Sequence, residues 1–274
     1  MTTARPKAPA ARGILLVGCG KMGGALLAGW SKRRLAGPFA VVEPAPVKPP
    51  GGARRYAAAE ALPKSLKPAA IVFAVKPQAL PAILPAYRRF AEGGTVFLSI
   101  AAGKTLGFFA RALGEAAPVV RAMPNTPAAI GRGIAVACAN AQVDGAGRAL
   151  CGRLLAAVGE VEWVEEEALL DPVTAVSGSG PAYVFLLIEC LAEAGVAAGL
   201  PSGLAMKLAR ATVAGSGELA RLASEDAAQL RRNVTSPGGT TEAALAVLMG
   251  AEGLAPLLRR AVAAATRRAG ELAD

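Results

Sequence analysis

The pattern of apolar positions changes near the middle of the chain. Up to about residue 165, short apolar runs rich in β-branched residues alternate with helix-like segments. The runs cover residues 13–18, 39–43, 69–75, 95–100, 118–123, 134–139 and 161–165. Strand and helix in repetition predict a parallel sheet with helices on both faces. The first runs are apolar at every position, as strands buried on both faces should be, so we predict a doubly wound α/β half.

Beyond about Leu169 the strand signal vanishes, and apolar residues recur at helical spacing. The predicted helices run from Tyr183 to Leu200, Leu204 to Leu222, Ala227 to Val234, Thr241 to Leu248 and Leu254 to Leu272. Glu189 and Glu193 interrupt the most apolar stretch, so we expect a buried helix there and not a membrane span. Long Ala/Leu helices expose more apolar face than one small domain can cover, so we expect an oligomer.

Composition narrows the chemistry. The 274 residues are 53% hydrophobic and 18% charged, with a mean hydropathy of +0.42 and a net charge of +10, which fits a globular chain that folds by burial. The chain contains no histidine, which excludes Ser-His-Asp hydrolases, Cys-His proteases and His-ligated zinc enzymes. The four cysteines form no Cys-x-x-Cys pair, so we expect no metal site and a reducing, cytoplasmic location.

These patterns predict three segments. Residues 1–12 are basic and rich in Pro and Ala but lack the apolar centre of a secretory signal, so we expect a disordered tail. Residues 13–168 form the sheet-containing domain, and residues 169–274 form the helical domain.

The sequence Gly18-Cys-Gly20-Lys-Met-Gly23 follows the first predicted strand and opens a helix. This is a GxGxxG motif in the strand–turn–helix setting that binds a dinucleotide pyrophosphate on a helix N-terminus. Glu43 follows the second strand, 20 residues beyond Gly23, where a carboxylate accepts hydrogen bonds from the adenosine ribose and repels a 2′-phosphate. Lys48 and the pair Arg54–Arg55 lie close in sequence and could neutralise that phosphate, so NADH and NADPH both stay open.

Further candidate residues follow later strands, at the sheet edge where open α/β folds bind ligands. Lys76, in Ala74-Val-Lys-Pro77, could contact cofactor or substrate, and Asn125, fixed between prolines, could donate to the nicotinamide ribose or amide. In the helical half, Ser236-Pro-Gly-Gly-Thr-Thr241 predicts a helix start with Ser236 as cap and the glycines in the first turn. Its uncovered amides would form a nest for a carboxylate or phosphate.

Taken together, GCGKMGG, AVKP, SIAAG, MPNTP, EALLD, SGSGPAY and SPGGTT occur in an order and spacing that resemble the pyrroline-5-carboxylate reductase family from Gly13 to Leu272. The resemblance implies an N-terminal Rossmann-type dinucleotide-binding domain followed by an all-helical dimerisation and substrate-binding domain. It implies reduction of 1-pyrroline-5-carboxylate to L-proline by NADPH or NADH, in a homodimer that often assembles into a decamer. No membrane or nucleic-acid partner is implied.

The resemblance also assigns site residues. The cofactor would be held by Gly18, Gly20, Lys21, Met22, Gly23, Glu43, Val75, Lys76, Pro77, Ala101, Ala102, Gly103 and Asn125. The substrate site would be lined by Glu167, Asn233, Ser236, Gly239, Thr240 and Thr241. We expect the Gly239 to Thr241 amides and the Ser236 hydroxyl to hold the substrate carboxylate, while the catalytic Thr241 hydroxyl bonds the ring nitrogen. Some relatives have a small polar residue where this chain has Glu43, and many have an Asn where it has Ala58, which again leaves the cofactor preference open.

Two alternatives remain from the sequence. A β-hydroxyacid dehydrogenase pairs a similar cofactor motif with a helical domain but needs a catalytic lysine there, and Lys207, mid-helix, lacks the glycine-rich surroundings of such a site. A non-catalytic dinucleotide sensor or basic scaffold would keep GCGKMGG but would have no need of SPGGTT. Because hydride transfer to an electrophilic imine carbon needs positioning more than a strong acid or base, a chain without histidine can perform it.

Overall fold

A computed structural model describes residues 12–35 and 37–273. The described chain divides into two compact units: one comprises the residues up to Gly178 together with those from Thr266 onward, and the other is Ser179–Ala265. The expectation of a disordered tail falls on residues 1–11, outside the described residues. Arg12, the last residue of that predicted tail, is held by hydrogen bonds from its guanidinium group.

The first unit contains one eight-stranded sheet in the order β3-β2-β1-β4-β5-β6-β7-β8. The strands are β1 (Ile14–Val17), β2 (Phe39–Val42), β3 (Arg54–Tyr56), β4 (Ala70–Phe73), β5 (Val96–Ser99), β6 (Val119–Met123), β7 (Gly133–Ala139) and β8 (Gly159–Trp163). All seven predicted strands are present, and β3 is an additional edge strand.

One expectation about this sheet was wrong. Neighbouring strands are parallel except β6 and β7, which pair antiparallel with Met123 opposite Val136. The reversal is local, because the segment between them is only a short 3₁₀ turn, Thr126–Ile130, that ends at Gly131 with a positive φ of 71°. A parallel pair would have needed a longer crossover.

Helices cover both faces of the sheet, which confirms the doubly wound architecture. In chain order they are α1 (Lys21–Lys32), α2 (Leu80–Ile83), α3 (Leu106–Leu113), α4 (Gly145–Ala156) and α5 (Leu170–Val173). On one face, α1 and α4 pack around Trp30, whose indole nitrogen donates to the Leu154 carbonyl at 2.8 Å. On the other face, α3 and the segment 84–93 bury an aromatic cluster of Phe73, Tyr87, Phe97 and Phe109.

At the amino edge of the sheet, Arg12 joins the starts of three strands. Its guanidinium donates to the carbonyl oxygens of Lys67, Pro68 and Gly93 at 2.7 to 3.2 Å. The same group reaches Thr95, so the chain entering β1 is tied to the turns that enter β4 and β5. These acceptors would otherwise need water.

The second unit is entirely helical over the described residues. Its helices are α6 (Gly180–Ala197), α7 (Ser202–Leu222), α8 (Ala227–Asn233) and α9 (Thr240–Leu248), followed by α10 (Leu254–Glu271), which runs past Ala265. Helices α6 and α7 approach closely at small residues, where a Cβ on Gly195 would lie 3.2 Å from the Ala205 Cβ.

The expectation that α6 is buried was wrong for the single chain. Phe185 and Leu186 are each 58% exposed, and Ala192 is its one buried residue. The run from Glu167 to Ala197 is long and apolar enough to cross a membrane by length and composition, and 11% of its most apolar window is buried. An apolar helix left uncovered in this way requires a second surface.

Candidate active site

The glycine-rich turn after β1 adopts the geometry that the motif predicts. Gly18 has a positive φ of 91°, and a Cβ on it would lie 2.7 Å from the Val75 Cγ1 and 2.8 Å from the Ala74 oxygen. A Cβ on Gly23 would lie 2.2 Å from the Gly18 oxygen. A Cβ on Gly20, by contrast, would meet nothing within 4 Å, since that position faces open space. Only glycine fits the first and third positions, and the second leaves room for a ligand to approach the backbone.

Glu43 lies at the end of β2 and is held against this turn. Its Oε2 accepts the Cys19 amide at 2.8 Å, and its Oε1 accepts the Ala45 amide at 3.0 Å. Burial, and then the negative charge of Glu43, raise the pKa of the Cys19 thiol, which places that charge beside the loop. The carboxylate is therefore fixed at the sheet edge and is not a free surface group.

A cavity of about 520 Å³ opens between the ends of β1, β2 and β4. It brings together five of the predicted cofactor residues: Gly18, Gly20, Glu43, Val75 and Lys76. Much of the remaining wall is apolar, formed by Val42, Ala57, Ala58, Ala59, Ala82, Ile83 and Ala86. Such a wall suits the faces of an adenine ring, while the glycine turn suits a pyrophosphate.

Two polar lining residues, Glu60 and Tyr87, were missed from the sequence. Tyr87 is almost completely buried, and desolvation together with the charge of Glu60 raises the pKa of its hydroxyl. Both residues line the cavity. Their sequence surroundings carry no motif, so only the folded chain places them there.

The other predicted cofactor residues lie outside that lining. Lys21, Met22 and Gly23 open α1 behind the turn, and Pro77 begins a short 3₁₀ turn after Lys76. Ala101, Ala102 and Gly103 follow β5. Gly103 has a φ of +72°, and a Cβ there would come within 2.6 Å of the Leu272 oxygen, so this glycine permits a close approach of two backbone segments.

Asn125 bridges three segments of the first unit. Its Oδ1 accepts the Ile134 amide at 3.0 Å, and its Nδ2 donates to the Ser177 hydroxyl at 3.1 Å. Ser177 belongs to a π-helical turn, Thr174–Gly178, in the SGSGPAY segment. Asn125 therefore fixes the loop after β6 to β7 and to the SGSGPAY segment.

Glu167 is paired with an arginine that sequence reasoning overlooked. Arg121, in the centre of β6, is 3% exposed, and its Nη1 donates to the Glu167 Oε1 at 2.9 Å. The same oxygen accepts the Leu106 amide at the start of α3, and Asp171 lies 4.0 Å from the guanidinium. The signal in the sequence was a lone charge within the apolar run PVVRAM.

The Ser236–Thr241 segment differs from the prediction in one respect. Helix α9 begins at Thr240 with Gly239 as its N-cap, so the glycines precede the helix and do not form its first turn. Ser236-Pro-Gly-Gly239 is a β-turn closed by the Gly239 amide on the Ser236 oxygen at 3.0 Å, with Gly238 at a φ of +68°. The Gly239 amide was expected to hold the substrate carboxylate, but it already has this acceptor. The amides of Thr240 and Thr241 lie in the first helical turn, where no intrahelical acceptor exists.

The remaining substrate candidate in the second unit is Asn233, the exposed last residue of α8. Its Oδ1 accepts the Gln229 side-chain amide at 2.6 Å. The structure thus brings Asn233 and the Ser236–Thr241 turn into one helical unit, while Glu167 belongs to the first unit.

Three features of this site fit a nicotinamide dinucleotide. They are a GxGxxG turn that excludes side chains, a fixed carboxylate after β2, and an apolar cavity at the point where the strand order reverses. These features define a dinucleotide-binding oxidoreductase.

The sequence model of the pyrroline-5-carboxylate reductase dimerisation domain matches residues 167–272. A pyrroline-5-carboxylate reductase from Pseudomonas aeruginosa is 44% identical over 204 residues, covering 74% of each chain.

Solved structures of pyrroline-5-carboxylate reductases are also similar to this chain. The chain is similar to a pyrroline-5-carboxylate reductase from Coxiella burnetii, with a TM-score of 0.89 and 32% identity over 97% of this chain and 100% of that one. A Plasmodium falciparum pyrroline carboxylate reductase, with NADP bound, has a TM-score of 0.81 at 28% identity, over 97% and 99% of the two chains. The chain belongs to the pyrroline-5-carboxylate reductase family. Lys207 lies exposed within α7, and the β-hydroxyacid dehydrogenase alternative is set aside.

Proposed function

We propose that this chain catalyses the NAD(P)H-dependent reduction of the C=N bond of 1-pyrroline-5-carboxylate, which gives L-proline. As a family member, the chain is an oxidoreductase that acts on CH–NH bonds and uses NAD(P)H. The observation that carries the proposal is the coexistence of a dinucleotide cavity walled by Gly18 and Glu43 with a hydroxyl-bearing helix start at Thr240 and Thr241.

We propose that the first unit binds the cofactor. The turn from Gly18 to Gly23, including Lys21 and Met22, would receive the pyrophosphate, and Glu43 the adenosine ribose. The path toward the nicotinamide would be lined by Val75, Lys76, Pro77, Ala101–Gly103 and Asn125. A reduced nicotinamide supplies the hydride when it is bound.

The second unit would bind the substrate. The Thr240 and Thr241 amides and the Ser236 hydroxyl would hold the carboxylate, because a helix N-terminus presents unpaired donors to an anion. The Thr241 hydroxyl would hydrogen-bond the ring nitrogen, which receives its proton from solvent. Asn233 would border this site. Glu167, which is paired with Arg121, would be a further lining residue of the substrate site.

The assay follows the loss of nicotinamide absorbance when purified protein, NADH or NADPH and 1-pyrroline-5-carboxylate are mixed. Oxidation that depends on the imine, with proline as product, is expected. Reactions without the imine and with a saturated ring acid are the controls. Absence of imine-dependent oxidation with both cofactors would refute the proposed function.

The chain forms oligomers through its dimerisation domain, and we propose a dimer that assembles further into a decamer. The exposed apolar faces of α6 and α7 support subunit contact, and the dimerisation match covers the segment whose composition would also permit a membrane span. Residues 13–168 and 169–274 remain our proposal for the cofactor-binding and dimerisation domains. All four cysteines are free thiols, which supports a reducing, cytoplasmic compartment.

A further inference from the structure

We propose that the cofactor cavity selects NADH over NADPH and that Glu43 is the residue that determines this specificity. The inference rests on the proposed NAD(P)H site, and it goes further by assigning the phosphorylation state of the adenosine ribose. Family membership decides only that a nicotinamide dinucleotide is used.

Glu43 is held in place by the backbone around it. Its two oxygens each accept one backbone amide, from Cys19 and from Ala45, so the carboxylate cannot swing away without losing both hydrogen bonds. Each carboxylate oxygen can accept a second hydrogen bond, which suits the hydroxyls of a ribose diol. At neutral pH a 2′-phosphate has lost most of its protons, so it cannot donate to the carboxylate as a hydroxyl does. Its negative charge would also be repelled by the fixed negative charge of Glu43.

The charged residues of the cavity wall disfavour an additional phosphate. Among the described residues that line it, Glu43 and Glu60 are carboxylates, Lys76 is the single cation, and no arginine is present. Lys76 follows β4, two strands away from the β2 end that carries Glu43. At a strand spacing of about 4.8 Å, those strand ends are roughly 10 Å apart, about one Debye length at physiological salt. Lys76 therefore compensates poorly for a phosphate beside Glu43.

The basic residues that left the cofactor preference open in the sequence, Lys48, Arg54 and Arg55, lie outside the cavity lining. The Arg55 guanidinium donates to the Glu43 carbonyl at 2.8 Å and to the Pro44 carbonyl at 2.6 Å, so it is engaged with the main chain. The Arg54 guanidinium lies 5.2 Å from the Tyr56 ring centroid. Neither of these residues, nor Lys48, lines the cavity. Among the residues that the structure describes, none places a guanidinium in this cavity to accommodate a 2′-phosphate.

The test measures dissociation constants for NADH and NADPH from nicotinamide fluorescence in the absence of substrate, and then kcat/KM for each. The wild-type protein should bind NADH at least about tenfold more tightly than NADPH, since like charges in contact across a partly hydrated site cost on this order. Glu43→Gln, which keeps an oxygen acceptor and removes the charge, should bring the two constants within about threefold, mainly by tightening NADPH. Glu115→Gln, at an exposed carboxylate before β6 on the amino edge, is the matched control and should leave the ratio unchanged.

A second variant tests the same reasoning without touching the Glu43 hydrogen bonds. Ala58 lines the cavity and is exposed, so Ala58→Arg adds a cation to the wall and should shift the ratio toward NADPH, whereas Ala58→Gln should not. A wild-type protein that binds NADPH as well as or better than NADH would overturn the specificity proposal alone. Equal effects of Glu43→Gln on both constants would overturn the role of Glu43. Failure to bind either cofactor would overturn both this proposal and the proposed function.

Discussion

Replacing Glu167 by Ala should destabilise the first unit far more than the same replacement of Glu165, two residues away. The Glu167 carboxylate accepts the Arg121 guanidinium at 2.9 Å and the Leu106 amide at 2.8 Å, and the arginine is 3% exposed. Glu165 pairs with Arg148 at 3.2 Å, but its side chain is 85% exposed. The two variants remove the same chemical group from different environments.

The expected loss of folding free energy depends on the buried Arg121 charge that remains when the Glu167 carboxylate is removed. Breaking a buried ion pair by removing one partner costs about 3 to 5 kcal/mol, because the other charge stays buried without compensation. Glu167 is 26% exposed, and Asp171 remains 4.0 Å from the guanidinium, so part of that charge is still balanced. The Arg121 Nε is already buried without a partner, so little other compensation is available within the described chain. We therefore expect a loss of about 2 to 3 kcal/mol for Glu167→Ala and less than about 1 kcal/mol for Glu165→Ala.

Urea unfolding followed by tryptophan fluorescence measures the difference. Both tryptophans, Trp30 and Trp163, lie in the same unit as Arg121, so the signal reports on that unit. With an m value of about 2 kcal/mol/M, Glu167→Ala should lower the midpoint by about 1 M relative to wild type. Glu167→Gln keeps an acceptor for both donors and should fall between. Equal midpoints for the Glu167→Ala and Glu165→Ala variants would refute the assigned role of the buried pair.

Three further outcomes are expected. Thr241→Ala should lower kcat/KM for the imine by about 10- to 150-fold, because one hydrogen bond to a group gaining charge is lost. Thr241→Ser should retain most activity, and cofactor affinity should be unchanged in both variants. Turnover of Thr241→Ala within twofold of wild type would exclude a hydrogen bond from this hydroxyl to the ring nitrogen. Gly18→Ala should raise the dissociation constant for NADH by about tenfold or more, since its Cβ would lie 2.7 Å from Val75 Cγ1, whereas Gly145→Ala meets nothing within 4 Å and should be neutral. Light scattering at micromolar concentration should show a dimer or larger assembly, whose interface exceeds about 2,000 Å²; a stable, active monomer would contradict it.

The elements that burial dictates were predictable from the sequence. Every strand from β1 to β8 except β3 is announced by an apolar run, and the GxGxxG turn follows from the glycines and their flanking elements. Strand β3, Arg-Arg-Tyr, was missed because it is a short edge strand with charged side chains. The direction of β7 was missed because hydropathy does not distinguish parallel from antiparallel pairing.

Site geometry was less predictable. The composition of Ser236-Pro-Gly-Gly239 is compatible with a helix start and with a type II turn, and only the hydrogen bond from the Gly239 amide decides between them. The pairing of Arg121 with Glu167 joins residues 46 positions apart, which no local pattern encodes. Likewise, Glu43 was expected beside a ribose, but its bonds to the Cys19 and Ala45 amides depend on the folded loop.

The position of β1 inside the sheet has a consequence for protein synthesis. Strand β1 is synthesised before the other strands of the described chain, yet one of its edges is covered only by β4, roughly 50 residues later. At about 5 to 20 residues per second, the fully apolar Ile14–Val17 edge stays open for some 3 to 10 seconds in each nascent chain. An open apolar edge of this kind is a template for aggregation, and Arg12, two residues before Ile14, places a charge beside it. A larger insoluble fraction for Arg12→Ala than for the wild-type protein on expression is the outcome that this order of synthesis leads us to expect.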